Sequence, residues 1–289
     1  MKTFWIRTLS ATVYALLFVG CIYAGCLTGS QITGTIIFIG FLSFVAVGCS
    51  YEIYRMARKH RISPLKGPGY MITGLTTIIL GLSMLFHNTP YEIPIYDVSF
   101  AFLRLGLLLL LTVPLCLIIQ LWRKSKRPLS DVAYTFFPVL YAALPLGLMP
   151  FMNNQWNVMM MILIMVWVND SFAYMGGSLF GRHKMWQRHS PGKTWEGTAC
   201  GIVFTIAVAL IAGPLFHTQL LWYDWMVLAI ICGIIGTLGD LVESMMKRSF
   251  GVKDSGNIMP GHGGFLDRFD SLLTITPIAF IYLSERFLF

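Results

Sequence analysis

Charged residues are scarce in this chain. Only 12% of its 289 residues are Asp, Glu, Lys or Arg and 56% are hydrophobic, whereas soluble domains carry roughly 25% charged residues. A chain with so little charge cannot coat a soluble globule, and it is too apolar to be disordered. Its six cysteines include no CxxC pair and are too few for a disulfide scaffold. The composition therefore predicts an integral membrane protein.

Stretches without any charge indicate how many helices cross the membrane. No charged residue lies between Arg7 and Glu52 or between Asp131 and Asp170. Each of these gaps is long enough for two spans of about 20 residues. Five further apolar stretches lie near residues 70–87, 105–122, 198–217, 225–242 and 271–288. We expect an all-α polytopic membrane protein with about nine transmembrane helices.

The basic residues fall mainly on one side of these nine spans. Of the 21 Lys and Arg residues, 19 lie in the N-terminal segment and in the loops on its side, and only Arg104 and Arg286 lie on the other. The positive-inside rule then puts the N-terminus in the cytoplasm and the C-terminus outside. The net charge of +8 thus indicates orientation and contact with anionic lipids, and we expect no nucleic-acid partner. A lipoprotein signal before Cys21 or Cys26 is disfavoured, because neither cysteine has Leu three positions before it.

Acidic residues are few and gather in the C-terminal half. The chain has 13, of which Asp170, Asp240 and Glu243 come at the cytoplasmic ends of predicted spans. Carboxylates within a membrane are costly and are usually functional where they occur. The i, i+3 spacing puts Asp240 and Glu243 on one helix face, and it does the same for Asp267 and Asp270. These acids are therefore candidates for a cation site.

Basic residues and glycines accompany the acids in two cytoplasmic segments. Residues 244–270 interleave four basic residues with three Asp and include Gly-His-Gly-Gly. Carboxylate oxygens suit Mg²⁺, Lys and Arg can meet phosphate charge, and backbone N–H groups beside glycine can approach an anion. Residues 181–197 are also basic, but they lack the GxxxxGK[ST] spacing of a P-loop. For both segments, the alternative is a juxtamembrane loop whose charges only orient the chain.

The run from Ser244 to Asp270 resembles the signature of phosphatidate cytidylyltransferases, also called CDP-diacylglycerol synthases. Three upstream segments, 170–174, 190–197 and 239–244, also resemble segments of that family in the same order. The signature positions matched here are Ser244, Lys247, Arg248, Lys253, Asp254, Gly256, His262, Gly263, Gly264, Asp267, Arg268 and Asp270.

The resemblance implies Mg²⁺-dependent transfer of CMP from CTP to phosphatidate, giving CDP-diacylglycerol and pyrophosphate. It implies a metal site of Asp240, Asp267 and Asp270, with a second, monovalent cation as a further expectation. Catalytic roles are expected for Asp240, Asp267, Lys247 and His262, of which His262 would position a phosphate rather than act as a nucleophile. The residues expected to bind CTP and its phosphates are Lys193, Ser190, Arg248, Lys253, Arg268, Gly263, Gly264 and Asp170.

The resemblance also suggests how the chain is organised. Residues 1–100, with about three spans, are expected to shape a lipid groove or a dimer interface. Residues 101–289 would form the catalytic region, with its site on the cytoplasmic side of the cell (inner) membrane. Phosphatidate would come from the bilayer and CTP from the cytosol, and a homodimer is typical of the family.

Three alternatives stay open on the residues alone. A paralogue of the same fold could act on another lipid phosphate or have weak activity. An ion-coupled transporter would also hold acids within the membrane, although the acids here cluster at one side rather than at the midplane. A CDP-alcohol phosphatidyltransferase is disfavoured, because its DGxxAR and GxxxDxxxD pattern is absent.

Overall fold

A computed structural model of the chain describes residues 2–87, 98–153, 156–216, 218, 220–258 and 263–287. Within these residues the chain is helical apart from short turns and one β-hairpin, which confirms the all-α membrane class. The helices are α1 (Lys2–Ile22), α2 (Ala24–Thr28), α3 (Gln31–Lys59), α4 (Lys66–His87), α5 (Val98–Trp122), α6 (Pro128–Pro138), α7 (Leu144–Asn153), α8 (Trp156–Phe180), α9 (Trp195–Ala212), α10 (Trp222–Ile230), α11 (Gly236–Ser249) and α12 (Leu266–Phe287). The strands are β1 (Lys184–Trp186) and β2 (Ser190–Thr194).

Six helical segments in the described part of the chain are long and apolar enough to cross a membrane. They have 22 to 29 residues, and at 1.5 Å per residue they extend about 33 to 44 Å, enough for a hydrocarbon core of ~30 Å. The other three apolar intervals contain α1, α4 and α12. The six segments are Gln31–Lys59, Phe100–Trp122, Pro128–Met152, Asn157–Phe180, Trp195–Phe216 and Trp222–Ser249.

Some helices extend beyond the apolar intervals that predicted them. The last two turns of α3 contain basic residues that were expected in a loop. The segment Trp222–Ser249 likewise continues past residue 242. Lys, Arg, Glu and Met favour helix, so a helix need not end where its apolar stretch ends. As a result, Asp240 and Glu243 lie within a helix rather than at its end.

Two membrane segments contain a π turn. Val139–Ala143 joins α6 to α7, and Ile231–Ile235 joins α10 to α11. A π turn inserts an extra residue into a helix and so changes which side chains share a face. The second π turn lies directly before α11, the helix that carries Asp240 and Glu243.

Two compact units divide the chain by packing, and the first consists of Met1–Asn154 with Asp254–Leu266. Its central helix is α3, which packs against α4 and α7 and has buried residues such as Phe38 and Leu42. Several buried polar groups there are hydrogen-bonded. The Tyr54 hydroxyl, for example, donates to the Thr135 carbonyl oxygen at 2.7 Å. The functional division expected near residue 100 stays a prediction.

The second unit consists of Gln155–Lys253 with Asp267–Phe289. In this unit α8 and α9 approach closely because small residues line their contact. A Cβ atom on Gly201 would lie only 2.7 Å from Asn169 Oδ1. The Thr194 hydroxyl caps α9 by accepting a hydrogen bond from Gly197 N at 3.2 Å. The β-hairpin is therefore anchored directly to the start of α9.

Candidate active site

Three carboxylates converge in the second unit. Asp240 and Glu243 belong to α11, one helical turn apart, and Asp270 belongs to the first turns of α12. One carboxylate oxygen of each residue lies within 4.8 Å of the corresponding oxygens of the other two. Glu243 is fully buried, while Asp240 and Asp270 are half-buried. Oxygens this close form a candidate cation site.

Contacts between α11 and α12 bring these carboxylates together. The Ser271 hydroxyl donates to the Gly236 carbonyl oxygen at 3.1 Å, and the backbone N–H of Ser271 donates to Asp270 Oδ1 at 2.6 Å. Gly239 is required by the close approach, because a Cβ atom there would lie 2.9 Å from the Asp270 carbonyl oxygen. The helices can therefore pack closely enough for Asp270 to face Asp240.

Lys247 joins the buried Glu243 to Asp267. Its Nζ atom lies 2.5 Å from Glu243 Oε2 and 2.6 Å from Asp267 Oδ1. The exposed fraction of the side chain is 13% for Lys247, 0% for Glu243 and 8% for Asp267. Pairs shielded from water in this way are screened little by salt. The ammonium group of Lys247 thus compensates two buried carboxylates at once.

Lys193 approaches the cluster from the β-hairpin. Strand β2 pairs antiparallel with β1, and Lys193 comes just before the residue that caps α9. Its Nζ atom lies 2.7 Å from Asp240 Oδ2 and donates to the Thr237 carbonyl oxygen at 3.1 Å. The basic segment 181–197 therefore supplies one cation directly to the carboxylate cluster.

Asp170 lies near the same cluster, on α8. It lies close enough to Asp240 and Lys193 to interact with their charges. The neighbouring Asn169 amide donates to the Thr237 hydroxyl at 3.3 Å. Asp170 lies well before the end of α8 at Phe180, and not at a helix end as the apolar run had predicted. It adds a fourth acidic side chain to this end of the unit.

The donor set fits a hard divalent cation. Carboxylate oxygens are the ligands that Mg²⁺ prefers in proteins. Glu243 Oε1 is buried with no hydrogen-bond donor among the described residues, an arrangement that costs free energy unless a cation or a proton compensates it. A cation bound among Asp240, Glu243 and Asp270 would supply that compensation.

The sequence-predicted metal site was Asp240, Asp267 and Asp270. The structure brings Asp240 and Asp270 together but adds Glu243, and it puts the Asp267 carboxylate against Lys247. Metal ligation by Asp267 therefore stays a prediction. Glu243 was already known to share a helix face with Asp240, yet nothing in the sequence alone indicated that its side chain would face Asp270.

The other predicted phosphate ligands lie at or near the ends of α11 and β2 and at the start of α12. Arg248 and Lys253 are exposed, and Arg248 Nη1 donates to the Val252 carbonyl oxygen at 3.3 Å. Ser190 begins β2 and is half-buried, as is Arg268 in the first turn of α12. His262 lies outside the described residues.

Gly263 and Gly264 belong to the first unit, in the segment before α12. Gly263 has φ of +82°, which favours glycine, and Gly264 packs against Glu52 of α3. The glycine pair was predicted to let backbone N–H groups approach an anion. The next two N–H groups, those of Phe265 and Leu266, donate to the carboxylate of Glu52. No sequence pattern pointed to Glu52, because it lies more than 200 residues away along the chain.

Comparison with known proteins agrees with this chemistry. A sequence model of the cytidylyltransferase family matches residues 5–285. The phosphatidate cytidylyltransferase of Staphylococcus haemolyticus strain JCSC1435 is 41% identical over 167 residues, covering 56% of this chain and 63% of that protein. The phosphatidate cytidylyltransferase of Staphylococcus aureus strain COL is 39% identical over 167 residues, with the same coverage of 56% and 63%. The match therefore spans less than two thirds of the length of these relatives.

Proposed function

This chain belongs to the cytidylyltransferase family, and on that premise we propose that it is a CTP:phosphatidate cytidylyltransferase. The observation that carries the proposal is the carboxylate cluster of Asp240, Glu243 and Asp270, with Lys193 and Lys247 paired to it. Acidic oxygens for a divalent cation and ammonium groups for phosphates are what nucleotidyl transfer requires. The similarity to phosphatidate cytidylyltransferases supports phosphatidate as the acceptor.

In the proposed reaction a phosphate oxygen of phosphatidate attacks the α-phosphorus of CTP. A new P–O bond forms there, and the bond from the α-phosphorus to the oxygen bridging to the β-phosphate breaks. The products are CDP-diacylglycerol and pyrophosphate. The attacking phosphate monoester is already ionised near pH 7, so the protein needs no strong general base. Catalysis then depends on orienting the two phosphates and neutralising their charge.

The side chains divide this task. A Mg²⁺ ion, when bound, would supply positive charge that neutralises the phosphates. Asp240, Glu243 and Asp270 would hold that cation, with Asp267 as the further metal ligand that the family signature implies. Lys193 and Lys247 would meet the remaining negative charge of the CTP phosphates, as ammonium donors do in other phosphate sites.

The other signature residues would bind the nucleotide and its phosphates. Arg248 and Lys253 carry positive charge near the C-terminal end of α11, and Arg268 does so in the first turn of α12. Ser190 and Asp170 would complete the pocket, together with the glycine pair before α12. We propose that His262 positions a phosphate, which predicts that His262→Asn keeps most of the activity and that no phosphohistidine can be trapped.

We also propose the full topology. Each of the nine apolar intervals contains a helix in the described residues, which supports nine spans. The distribution of Lys and Arg supports a cytoplasmic N-terminus and an external C-terminus in the cell membrane. All the signature segments then face the cytoplasm, where CTP is available. Phosphatidate, whose head group lies at the bilayer surface, can reach the same side.

The direct test uses purified protein in detergent with Mg²⁺, phosphatidate and CTP labelled at the α-phosphate. Label should enter the lipid phase as CDP-diacylglycerol and should not do so with the Asp270→Asn variant. Glu285→Gln is the matched control, because Glu285 is an exposed carboxylate near the other end of the same helix. Failure of the wild-type protein to transfer label to phosphatidate would contradict the proposal. Transfer only to a different lipid phosphate would replace the acceptor and keep the reaction class.

A further inference from the structure

Glu52 is a fully buried acid of α3 that lies outside the carboxylate cluster. It is 0% exposed, and its carboxylate binds the segment that leads into α12. Glu52 Oε1 accepts a hydrogen bond from Phe265 N at 2.9 Å. Glu52 Oε2 accepts from Leu266 N at 2.9 Å and from the Ser255 hydroxyl at 2.8 Å. Both carboxylate oxygens therefore accept hydrogen bonds from residues 254–266, which we call the glycine segment and of which the structure describes 254–258 and 263–266.

Two glycines of the glycine segment make room for this carboxylate. A Cβ atom on Gly256 would lie 2.5 Å from Glu52 Oε1, and one on Gly264 would collide with the same carboxylate. Next to Gly264, the Phe265 ring packs edge-on against Phe44 of α3, with ring centroids 5.5 Å apart. The contacts of Glu52 thus extend from Ser255 to Leu266, close to both ends of the segment.

Chain connectivity gives this contact its importance. The glycine segment joins α11, which carries Asp240, Glu243 and Lys247, to α12, which carries Asp267 and Asp270. Leu266, whose N–H group donates to Glu52, is followed immediately by Asp267. Leu266 also begins α12, and a carboxylate at a helix N-terminus satisfies N–H groups that have no partner within the helix. Glu52 therefore anchors the chain at the residue before the acidic turn of α12.

We propose that Glu52 is a positioning residue for nucleotidyl transfer, which acts by holding the glycine segment and the start of α12. The catalytic part of this inference rests on the proposed function. Its structural part stands on the hydrogen bonds alone. The effect of Glu52 on turnover would be exerted through Phe265, Leu266 and Ser255, which donate hydrogen bonds to its carboxylate.

Hydrogen exchange can test the anchoring directly, by comparing Glu52→Gln with a matched variant, Asp131→Asn. Asp131 is another fully buried acid of the first unit that accepts one backbone N–H, from Ser63 at 2.6 Å. It also accepts from the side chains of Gln120 and Ser125, and none of its three donors belongs to the glycine segment. Loss of a buried acceptor should speed exchange of the affected amides roughly tenfold. Glu52→Gln should speed amide exchange in residues 263–266, and Asp131→Asn should speed it only around Ser63.

Steady-state kinetics with the full-length protein test the catalytic part. Glu52→Gln should raise the KM for CTP and lower kcat/KM for CTP at least about tenfold, because misplaced phosphate ligands and cation ligands weaken both binding and turnover. Asp131→Asn should leave the KM for CTP unchanged. A role in folding alone would reduce the amount of active protein, and hence the apparent kcat, in both variants without changing that KM.

The outcomes separate the two parts of the inference. Unchanged exchange in residues 263–266 of Glu52→Gln, or equal KM values for CTP in the two variants, would overturn it. If Glu52→Gln does not fold, Ser255→Ala removes one hydrogen bond to Glu52 and should give the same changes, about threefold in size. If the wild-type protein transfers no label, the proposed function fails and the catalytic part fails with it, while exchange still decides whether Glu52 anchors the glycine segment.

Discussion

Replacing Lys247 by Met should destabilise the protein strongly. The Lys247 ammonium lies within 2.6 Å of carboxylate oxygens of both Glu243 and Asp267, and none of the three side chains is more than 13% exposed. Removing one partner of a buried ion pair costs about 3–5 kcal/mol, because the remaining charge stays buried without compensation. At roughly 3 °C per kcal/mol, the melting temperature should fall by about 10 °C.

The assay is thermal unfolding of the detergent-purified variant at a fixed scan rate, since membrane proteins often unfold irreversibly. Lys253→Met is the matched control, because Lys253 is exposed and lies six residues further along the chain. Combining Lys247→Met with Glu243→Gln and Asp267→Asn should recover most of the lost stability, since the uncompensated charges are then gone. If Lys247→Met melts within about 2 °C of Lys253→Met, the two ion pairs do not contribute as the geometry implies.

Three further predictions concern the cation and the nucleotide. Asp240→Asn should lower turnover by about three orders of magnitude with little change in melting temperature, and near-normal rates would exclude Asp240 from cation binding. Glu243→Gln should raise the Mg²⁺ concentration needed for half-maximal activity at least about tenfold, because one of three carboxylate ligands is lost. EDTA should abolish the activity of the wild-type protein, and added Mg²⁺ should restore it. Lys193→Met should raise the KM for CTP about tenfold, whereas Lys184→Met, at an exposed position on β1, should not. Equal KM values for the two variants would argue against phosphate contact by Lys193.

Part of the candidate site was expected from the family resemblance of the sequence. Asp240 and Asp270 were expected as metal ligands, and the structure puts them in one cluster with Lys193 and Lys247 nearby. Spacing within a helix fixes which side chains of that helix share a face, as it does for Asp240 and Glu243. It could not say which of the nearby acids would face the cluster. The structure puts Glu243 beside Asp240 and Asp270 and puts Asp267 against Lys247, and this arrangement depends on how α11 and α12 pack.

The amino-acid sequence by itself determined that this is an all-α membrane protein whose acidic residues gather in the C-terminal half. Hydrophobic length and charge are local properties, so no tertiary contact is needed to detect them. Only the tertiary structure decided that Lys247 bridges Glu243 and Asp267, and that Glu52 holds the glycine segment. The physical reason is that a buried carboxylate must find its donors somewhere in the fold. For Glu52 those donors lie more than 200 residues further along the chain.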